Sequence, residues 1–574
     1  MKNDINKLLR LSGIFLSVSL LLSCGASDEP DTSKQPEVIS LKENTISFYG
    51  TTNDFASEAI YFLMTDRFVD GDPSNNQINQ GGESPTFKGE LVGPNGETAY
   101  VGYMGGDFKG IANNAEYISN MGFTSIWLTP IVDQPDEAFA GGEPIEFGGA
   151  FKDGGKTGYH GYWGSNFFKV DEHLPSTDLS FKQLTQRLKQ HQIKTVLDVV
   201  TNHGTPAFTM QPKQQAKFGQ LFDENGQLVA DHQNLHPNQL DHNNLLHKFY
   251  NKEPDIMQLS DMNENNPKVL DYFTRAYLHW IEQGADAFRI DTIKHMPHHF
   301  WKSFSDNIRE KHPDFFMFAE SYSFDAEFIA QHTQPQNGAV SVLDFPGREA
   351  MLKVFEDPAG DFAELSTYLY LVNGPYANPY ELMTFYDNHD MSRINTTENG
   401  YIDAHNWLFT SRGIPVVYYG SEIGFMTGKT EHQGNRNYFG QDRIEQAKTH
   451  SIHSALSEIA NIRKNSIALQ KGLQANIKMA GNQASFVRVY QHQGINQTAL
   501  ILLNKGDSEA SFQIDQFLEV GRWVDAKSGK EILVNSDLIL QATVPAHDVA
   551  VYVFNGVNNN SELVKLLAKR MVQN

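Results

Sequence analysis

The sequence predicts an α/β protein: a TIM (β/α)8 barrel with an insertion after its third strand, followed by an all-β sandwich. Three observations predict it. Eight short apolar or β-branched runs recur between Ala59 and Tyr419 with amphipathic stretches between them, the signature of alternating strands and helices. Three carboxylates, Asp291, Glu320 and Asp390, each follow such a run, as expected where buried parallel strands deliver side chains to one rim of a barrel. Beyond about Ala475 helix-length apolar periods stop, and short strands separated by turns take over.

The eight predicted barrel strands are Ala59–Thr65, Thr124–Thr129, Thr195–Val200, Ala285–Ile290, Phe315–Ala319, Val340–Phe345, Leu382–Tyr386 and Pro415–Tyr419. Phe181–His191 and Val269–Gln283 carry the 3.6-residue period of outer-ring helices. The barrel spans 54–470. Its rhythm breaks over 204–257, a stretch rich in His, Gln and Asn and too long for a simple connection, which predicts a small inserted subdomain. The sandwich spans 475–556, with strands at Phe486–Tyr490, Ala499–Leu503, Glu531–Val534, Leu538–Val544 and Val549–Phe554. In the tail, 557–574, Ser561 to Gln573 predicts a basic amphipathic helix packed on its own protein. No internal repeat is present.

The N-terminus reads as an export segment over 1–23. Lys2, Lys7 and Arg10 precede an apolar stretch from Leu11 to Leu22 that is well short of the ~20 residues needed to span a bilayer. Cys24 is the single cysteine, which excludes an intrachain disulfide. Residues 24–53, polar and rich in Asp, Glu, Pro, Ser and Thr, predict a flexible tether.

Bulk properties narrow the function. The 574 residues are 40% hydrophobic and 20% charged, ordinary globular composition. The formal charge of −23, from 69 acids against 46 bases, argues against nucleic acid, whose binding needs a basic surface. A neutral polysaccharide is not repelled, and 11% aromatic residues supply faces on which sugars stack.

Two carboxyl groups suffice to break a glycosidic bond, one attacking or stabilising the sugar cation and the other protonating the leaving oxygen. Arg289 lies two residues before Asp291, hence on the same strand face, where a fixed cation keeps a carboxylate ionised. In TVLDVVTNH, Asn202 and His203 end the third strand; in YHGYW, His160 can bond hydroxyls while Tyr162 offers a stacking face. DGDPSNN gathers Asp70, Asp72, Asn75 and Asn76 on one loop, oxygen donors suited to calcium or else a solvated turn.

These motifs, in this order from about Ser57 to Phe554, resemble the α-amylase family, glycoside hydrolase family 13. The resemblance implies that Asp291 is the nucleophile, Glu320 the general acid and base, and Asp390 a grip on sugar hydroxyls. It implies substrate contacts from His160, Tyr162, Trp163, His203, Arg289, Lys294, His295 and His389. The insertion becomes the family's B domain, and GIPVVYYGSEIGF, Gly413 to Phe425, matches the eighth-strand motif. Two calcium ions are implied: one held by Asp70, Asp72, Asn75 and Asn76 with Gly105 and Asp107, the other by Asn202, Asp261 and the carbonyl of His295.

Leu21-Leu22-Ser23-Cys24 resembles a bacterial lipobox, implying a lipid anchor on Cys24; Gly25 after it leans towards the outer membrane or cell surface over the periplasmic face. The expected activity is that of a monomeric α-amylase cleaving internal α-1,4 bonds of starch-like glucans and maltodextrins by retaining double displacement. The loops that close the groove, rather than these motifs, decide between endo and exo action. IYFLMTDRFVDGDPSNN, YHGYWGSNFF and Tyr322 are similar to cyclodextrin glucanotransferases, an alternative weakened by Met257 at their central aromatic position and by the lack of room after Phe554 for their extra domains. A cyclomaltodextrinase is disfavoured by the missing N-terminal sandwich, and a non-catalytic surface glycan-binding protein by the intact acid trio. Met391 after Asp390 argues against chloride activation.

Overall fold

A computed structural model of the chain describes residues 47–78, 87–149, 152–214 and 218–569. The export segment, Cys24 and most of the tether lie outside the described residues. Within them, all eight predicted runs form parallel strands: β1 Ile60–Leu63, β2 Ser125–Leu128, β3 Lys194–Val199, β4 Ala287–Ile290, β5 Phe316–Ala319, β6 Ser341–Val342, β7 Met383–Thr384 and β8 Ile414–Tyr418. They neighbour one another in sequence order, and a parallel bridge from Leu343 to Met383 joins β6 to β7 and closes the ring. Apart from the half-buried Lys194, every strand residue is buried. A sheet covered on both faces needs apolar side chains at consecutive positions, which is why these runs do not alternate with polar residues. Aromatic rings fill the barrel: Phe62 stacks on Trp127 at 3.8 Å and lies 5.0 Å from Tyr418.

The outer helices begin where side chains satisfy orphan N–H groups. In α1, Phe181–Gln190, Ser180 and Gln183 form a capping box, and Phe181, Leu184 and Leu188 face the core. In α2, Pro267–Glu282, Asn266 caps and Pro267 takes the first position, where its missing N–H costs nothing.

The insertion is wider than 204–257. Strands His203–Pro206 and Leu259–Asp261 pair antiparallel at its base, and Gln220–Phe222 and Leu228–Asp231 join a four-stranded sheet with Val132–Asp133 and Asn166–Val170. Strands of three or four residues leave unpaired backbone edges, so this sheet recruits the loop after β2.

The C-terminal strands are β9 Leu473–Ala480, β10 Gln483–His492, β11 Ile495–Asn504, β12 Ala510–Ile514, β13 Gly521–Asp525, β14 Glu531–Val534, β15 Leu540–Val544 and β16 Asp548–Phe554. Six form a sheet in the order β9-β10-β11-β16-β13-β14, and β12 pairs with β15 across a core that includes Val487, Leu500, Phe512 and Trp523. Helix α3, Ser561–Leu567, buries Leu563 and Leu567 in that core. The folded body begins before residue 54: Phe48 is buried and exchanges both backbone hydrogen bonds with Gln491 at 2.7 and 2.8 Å. Among the described residues no helix is long and apolar enough to cross a membrane.

Candidate active site

The carboxyl ends of β3, β4 and β5 meet at one guanidinium. Arg289, fully buried on β4, gives Nη1 to Asp291 Oδ1 at 2.7 Å and to both oxygens of Asp198 at 2.9 and 3.1 Å, while Nη2 lies 3.0 Å from Glu320 Oε2. Burial opposes its charge, but Asp198, Glu320 and Asp291 hold its pKa well above the usual arginine value. Asp198 also accepts from Trp127 Nε1 at 3.0 Å and Tyr162 Oη at 2.8 Å. One fixed cation thus contacts Asp291 and Glu320 together.

Their environments differ. Burial pushes the Glu320 carboxyl up to about 8, with the charges of Asp390 and Asp291 adding to the rise against the pull of Arg289. A proton held to that pH suits a general acid. Thr292, after Asp291, takes a left-handed backbone (φ 49°) and turns its N–H towards Glu320 Oε2 at 3.4 Å. Strain of this kind, about 1–3 kcal/mol, persists where the surroundings fix it.

Asp390 enters from the loop after β7 and takes a 2.6 Å bond from Arg436 Nη2, with His389 Nε2 at 3.3 Å. Burial raises its pKa, although 30% of its side chain is open to the cavity, where water limits the rise. His160, His203 and His389 are buried, and burial lowers all three pKa values, favouring neutral rings. His160 Nδ1 accepts from the Tyr162 amide at 3.0 Å, which leaves the proton on Nε2, an atom with no protein partner. His203 Nε2 lies 4.0 Å from Asp291 Oδ2, and the Tyr162 ring stacks on His389 at 5.3 Å.

A cavity of about 530 Å³ is lined by ten of the residues singled out from sequence: His160, Tyr162, Trp163, His203, Asp291, Lys294, His295, Glu320, His389 and Asp390. Arg289 lies beneath it. Sequence reasoning passed over Arg436, Glu431, Lys156 and Asp255, which also line it. Arg436 joins Asp390 to Glu431 Oε1 (2.6 Å), and Lys156 Nζ reaches the same oxygen at 3.1 Å. Burial opposes ionisation of Glu431, but Arg436 and Lys156 hold its pKa well below the carboxylate range. Asp255 lies 2.9 Å from His295 Nδ1 and accepts from Asn202 Nδ2 at 3.2 Å. None of these four sits at a strand end, the signal that reveals the trio.

The two oxygen clusters also assemble. Around the first, the Oδ1 atoms of Asp70, Asn75 and Asn76 are buried without hydrogen-bond partners. Gly105 has φ +94°, and a Cβ there would lie 2.5 Å from Asn76 Oδ1. Asp107 caps the helix Phe108–Asn113 and accepts from the amides of Gly71 and Asp72, so it shapes the loop; Asp72 accepts from Ser74. In the second, Asn202 Oδ1 has no partner, and burial lifts Asp261 to about 7, with Asp255 and Glu264 adding to the rise. His295 presents its ring to Asp255 and the cavity. Among the described residues no three or more His, Cys, Asp or Glu side chains are placed to share a metal. A cation in either cluster would draw on amide and carbonyl oxygens, hard donors of the kind calcium takes.

The chain is similar to known proteins over most of its length. A family profile described as alpha amylase, catalytic domain, matches residues 62–466. The cyclomaltodextrin glucanotransferase of Thermoanaerobacterium thermosulfurigenes is 29% identical over 536 residues, covering 88% of this chain and 69% of that protein. An alpha-amylase of Niallia circulans is 30% identical over 505 residues, covering 84% of this chain and 88% of that one. Among solved structures, CldA, described as the first cyclomaltodextrin glucanotransferase with a three-domain ABC distribution, matches with a TM-score of 0.69 at 27% identity, covering 87% of this chain and 99% of its own.

Proposed function

The chain belongs to the α-amylase family of glycoside hydrolases, and on that premise we propose that it hydrolyses α-1,4-glucosidic bonds of starch and maltodextrins with retention of configuration. The observation that carries this reading is the Arg289 clamp on Asp291 and Glu320. Nη1 hydrogen-bonds Asp291 and Nη2 stands at ion-pair distance from Glu320, so one guanidinium keeps the two carboxyls side by side, an arrangement that fits the roughly 5–5.5 Å spacing of retaining enzymes. An Asp291 oxygen attacks the anomeric carbon as the C1–O bond breaks, and the departing oxygen takes the Glu320 proton. Glu320, now a carboxylate, removes a proton from water, whose oxygen displaces Asp291 from C1. Asp390, fixed by Arg436, and His160 Nε2 bond the hydroxyls of the sugar at the reacting centre.

The favoured outcome is hydrolysis. Met257, which lines the cavity, leaves no aromatic ring where a glucanotransferase-like site has one. Chain length no longer weighs on either side, since CldA is described as a transferase with three domains. Tyr322, beside the acid and 42% exposed, is the feature that favours transfer. Product analysis on amylose, pullulan and β-cyclodextrin separates the two: linear maltodextrins support hydrolysis, and cyclic products from amylose would overturn it.

Calcium is part of the proposal, with the partnerless Oδ1 atoms of Asp70, Asn75, Asn76 and Asn202 as its support. When bound, it would neutralise acids and cross-link loops, without touching the reacting atoms. Cys24 is proposed as a lipid anchor to the bacterial outer membrane or cell surface. Cys24→Ala should free the enzyme from the membrane fraction while sparing its activity in solution; a variant that still fractionates with membranes would sink the anchor.

A further inference from the structure

The cavity is asymmetric in a way that bears on where a chain is cut. Glu320 directly follows β5, and the strand across the ring from β5 is β1, flanked by β2 and β8. Because Glu320 protonates the leaving oxygen, the departing part of the substrate lies on the β4–β5 side, and the part bonded to Asp291 extends towards β1. The loops after β2 and β8 are tied together on that far side. Gly148 N donates to His432 O at 2.9 Å, and Lys156 Nζ reaches Glu431 Oε1 at 3.1 Å. The β2 loop is also fastened to the insertion: Ala140 N donates to Gln214 Oε1 at 2.8 Å, and Gln214 Nε2 to Ala138 O at 2.7 Å.

This connection has its own core. Phe139, wholly buried, lies 6.2 Å from Trp163 and 5.5 Å from Phe218, with Met210 and Leu259 completing a cluster separate from the barrel's. Side chains facing the cavity here are charged and paired, Lys156 being only 9% exposed. Beyond Glu320 the lining changes: Tyr322, 42% exposed, lines the cavity, and outside it Phe324, 43% exposed, sits 6.1 Å away, both rings resting against Phe345.

From this we infer that the wall of Lys156, Glu431 and His432 makes the cavity a dead end, so that the enzyme works inward from non-reducing ends. A chain enters with its free non-reducing end against the wall, and the remainder leaves over the Tyr322–Phe324 rim. The inference rests on the proposed glucan hydrolysis and departs from the internal cleavage that the sequence suggests.

The test compares p-nitrophenyl maltoheptaoside with its analogue blocked at the non-reducing 4- and 6-hydroxyls, using the intact protein. Cleavage of the free substrate at least ten times faster than the blocked one is expected. Comparable rates on both would overturn the wall while leaving hydrolysis standing. No cleavage of either would instead defeat the proposed function. Lys156→Ala should raise the blocked-to-free ratio towards one; a ratio unchanged in that variant would overturn the role given to Lys156.

Discussion

The two ends of the catalytic cavity stand on one barrel rim and are built by opposite means. On the β1 side, two loops and an insertion are stitched by backbone and ion-pair bonds over a small aromatic core. On the β5 side, a short segment after Glu320 lays exposed rings over the buried Phe345. The first arrangement fixes a length, since a wall with its own packed core cannot yield by rotating one side chain. The second tolerates length, since every glucose unit offers a face to an aromatic ring. Direction along a uniform polymer can thus come from which loops are bonded across the rim.

Asp291→Asn, at the junction of the two ends, should have the largest effect. We expect kcat to fall by at least about 10⁴-fold with the melting temperature nearly unchanged. Retained turnover would end the assignment of Asp291 and remove the reference that distinguishes the ends.

Next comes the pH profile. As the proposed general acid Glu320 acts protonated, and its pKa is raised to about 8, so kcat/KM should fall as pH rises through that value. Glu320→Gln should lower kcat by about 10²–10⁴-fold and abolish that limb. A limb that persists in the variant would assign the titration to another group.

Chelation ranks third and probes both ends at once. The Asp70 cluster is tied to the walled end, since the Asp70 amide donates to Tyr438 Oη at 2.9 Å, and Asn202 serves the open end through Asp255 and His295. Calcium at about 100 times its Kd would contribute about 2.7 kcal/mol of stability, so EDTA should lower the melting temperature by several degrees. Asn76→Ala should remove part of that shift and alter the blocked-to-free ratio, whereas Asp261→Asn should leave the ratio as it was. Insensitivity to EDTA would exclude both ions as stabilising elements.

Tyr322→Ala should have the smallest effect. Loss of one stacking face is worth about 0.5–1.5 kcal/mol, which raises KM for amylose several-fold and leaves KM for maltotriose nearly constant. An equal rise for both substrates would place Tyr322 nearer the bond that breaks.

The barrel was legible because parallel strands buried on both faces leave unbroken apolar runs, as at Ile60–Leu63 and Ile414–Tyr418. The acids were legible because they stand at fixed places after those runs. β9, β12 and β13 were not read: LQANIKMA and GRWVD mix buried and exposed positions without a clean alternation, their pairing with β10 and β16 decides their state, and the five residues of β12 alternate too briefly to stand out. The wall was invisible for a stronger reason. Lys156 and Glu431 are 275 residues apart, and no period or spacing along the chain connects them. Arg436 is similar, a lone cation in HQGNRNYF whose meaning depends on Asp390 lying within reach.

Gln491 has a mechanical consequence. Its amide and carbonyl both bond Phe48, and its side-chain oxygen accepts from the Asn558 amide at 3.1 Å, so the leading segment and the link to α3 converge on one residue of β10. Gly50 and Thr51 add bonds to the Lys471 carbonyl, just before the first strand of the sandwich. A pull on the chain at residue 47 is therefore taken up by the antiparallel sheet before it can reach Ile60 and β1. The sandwich serves as a strain relief, holding the barrel's first strand in register whatever is hung on the leading end.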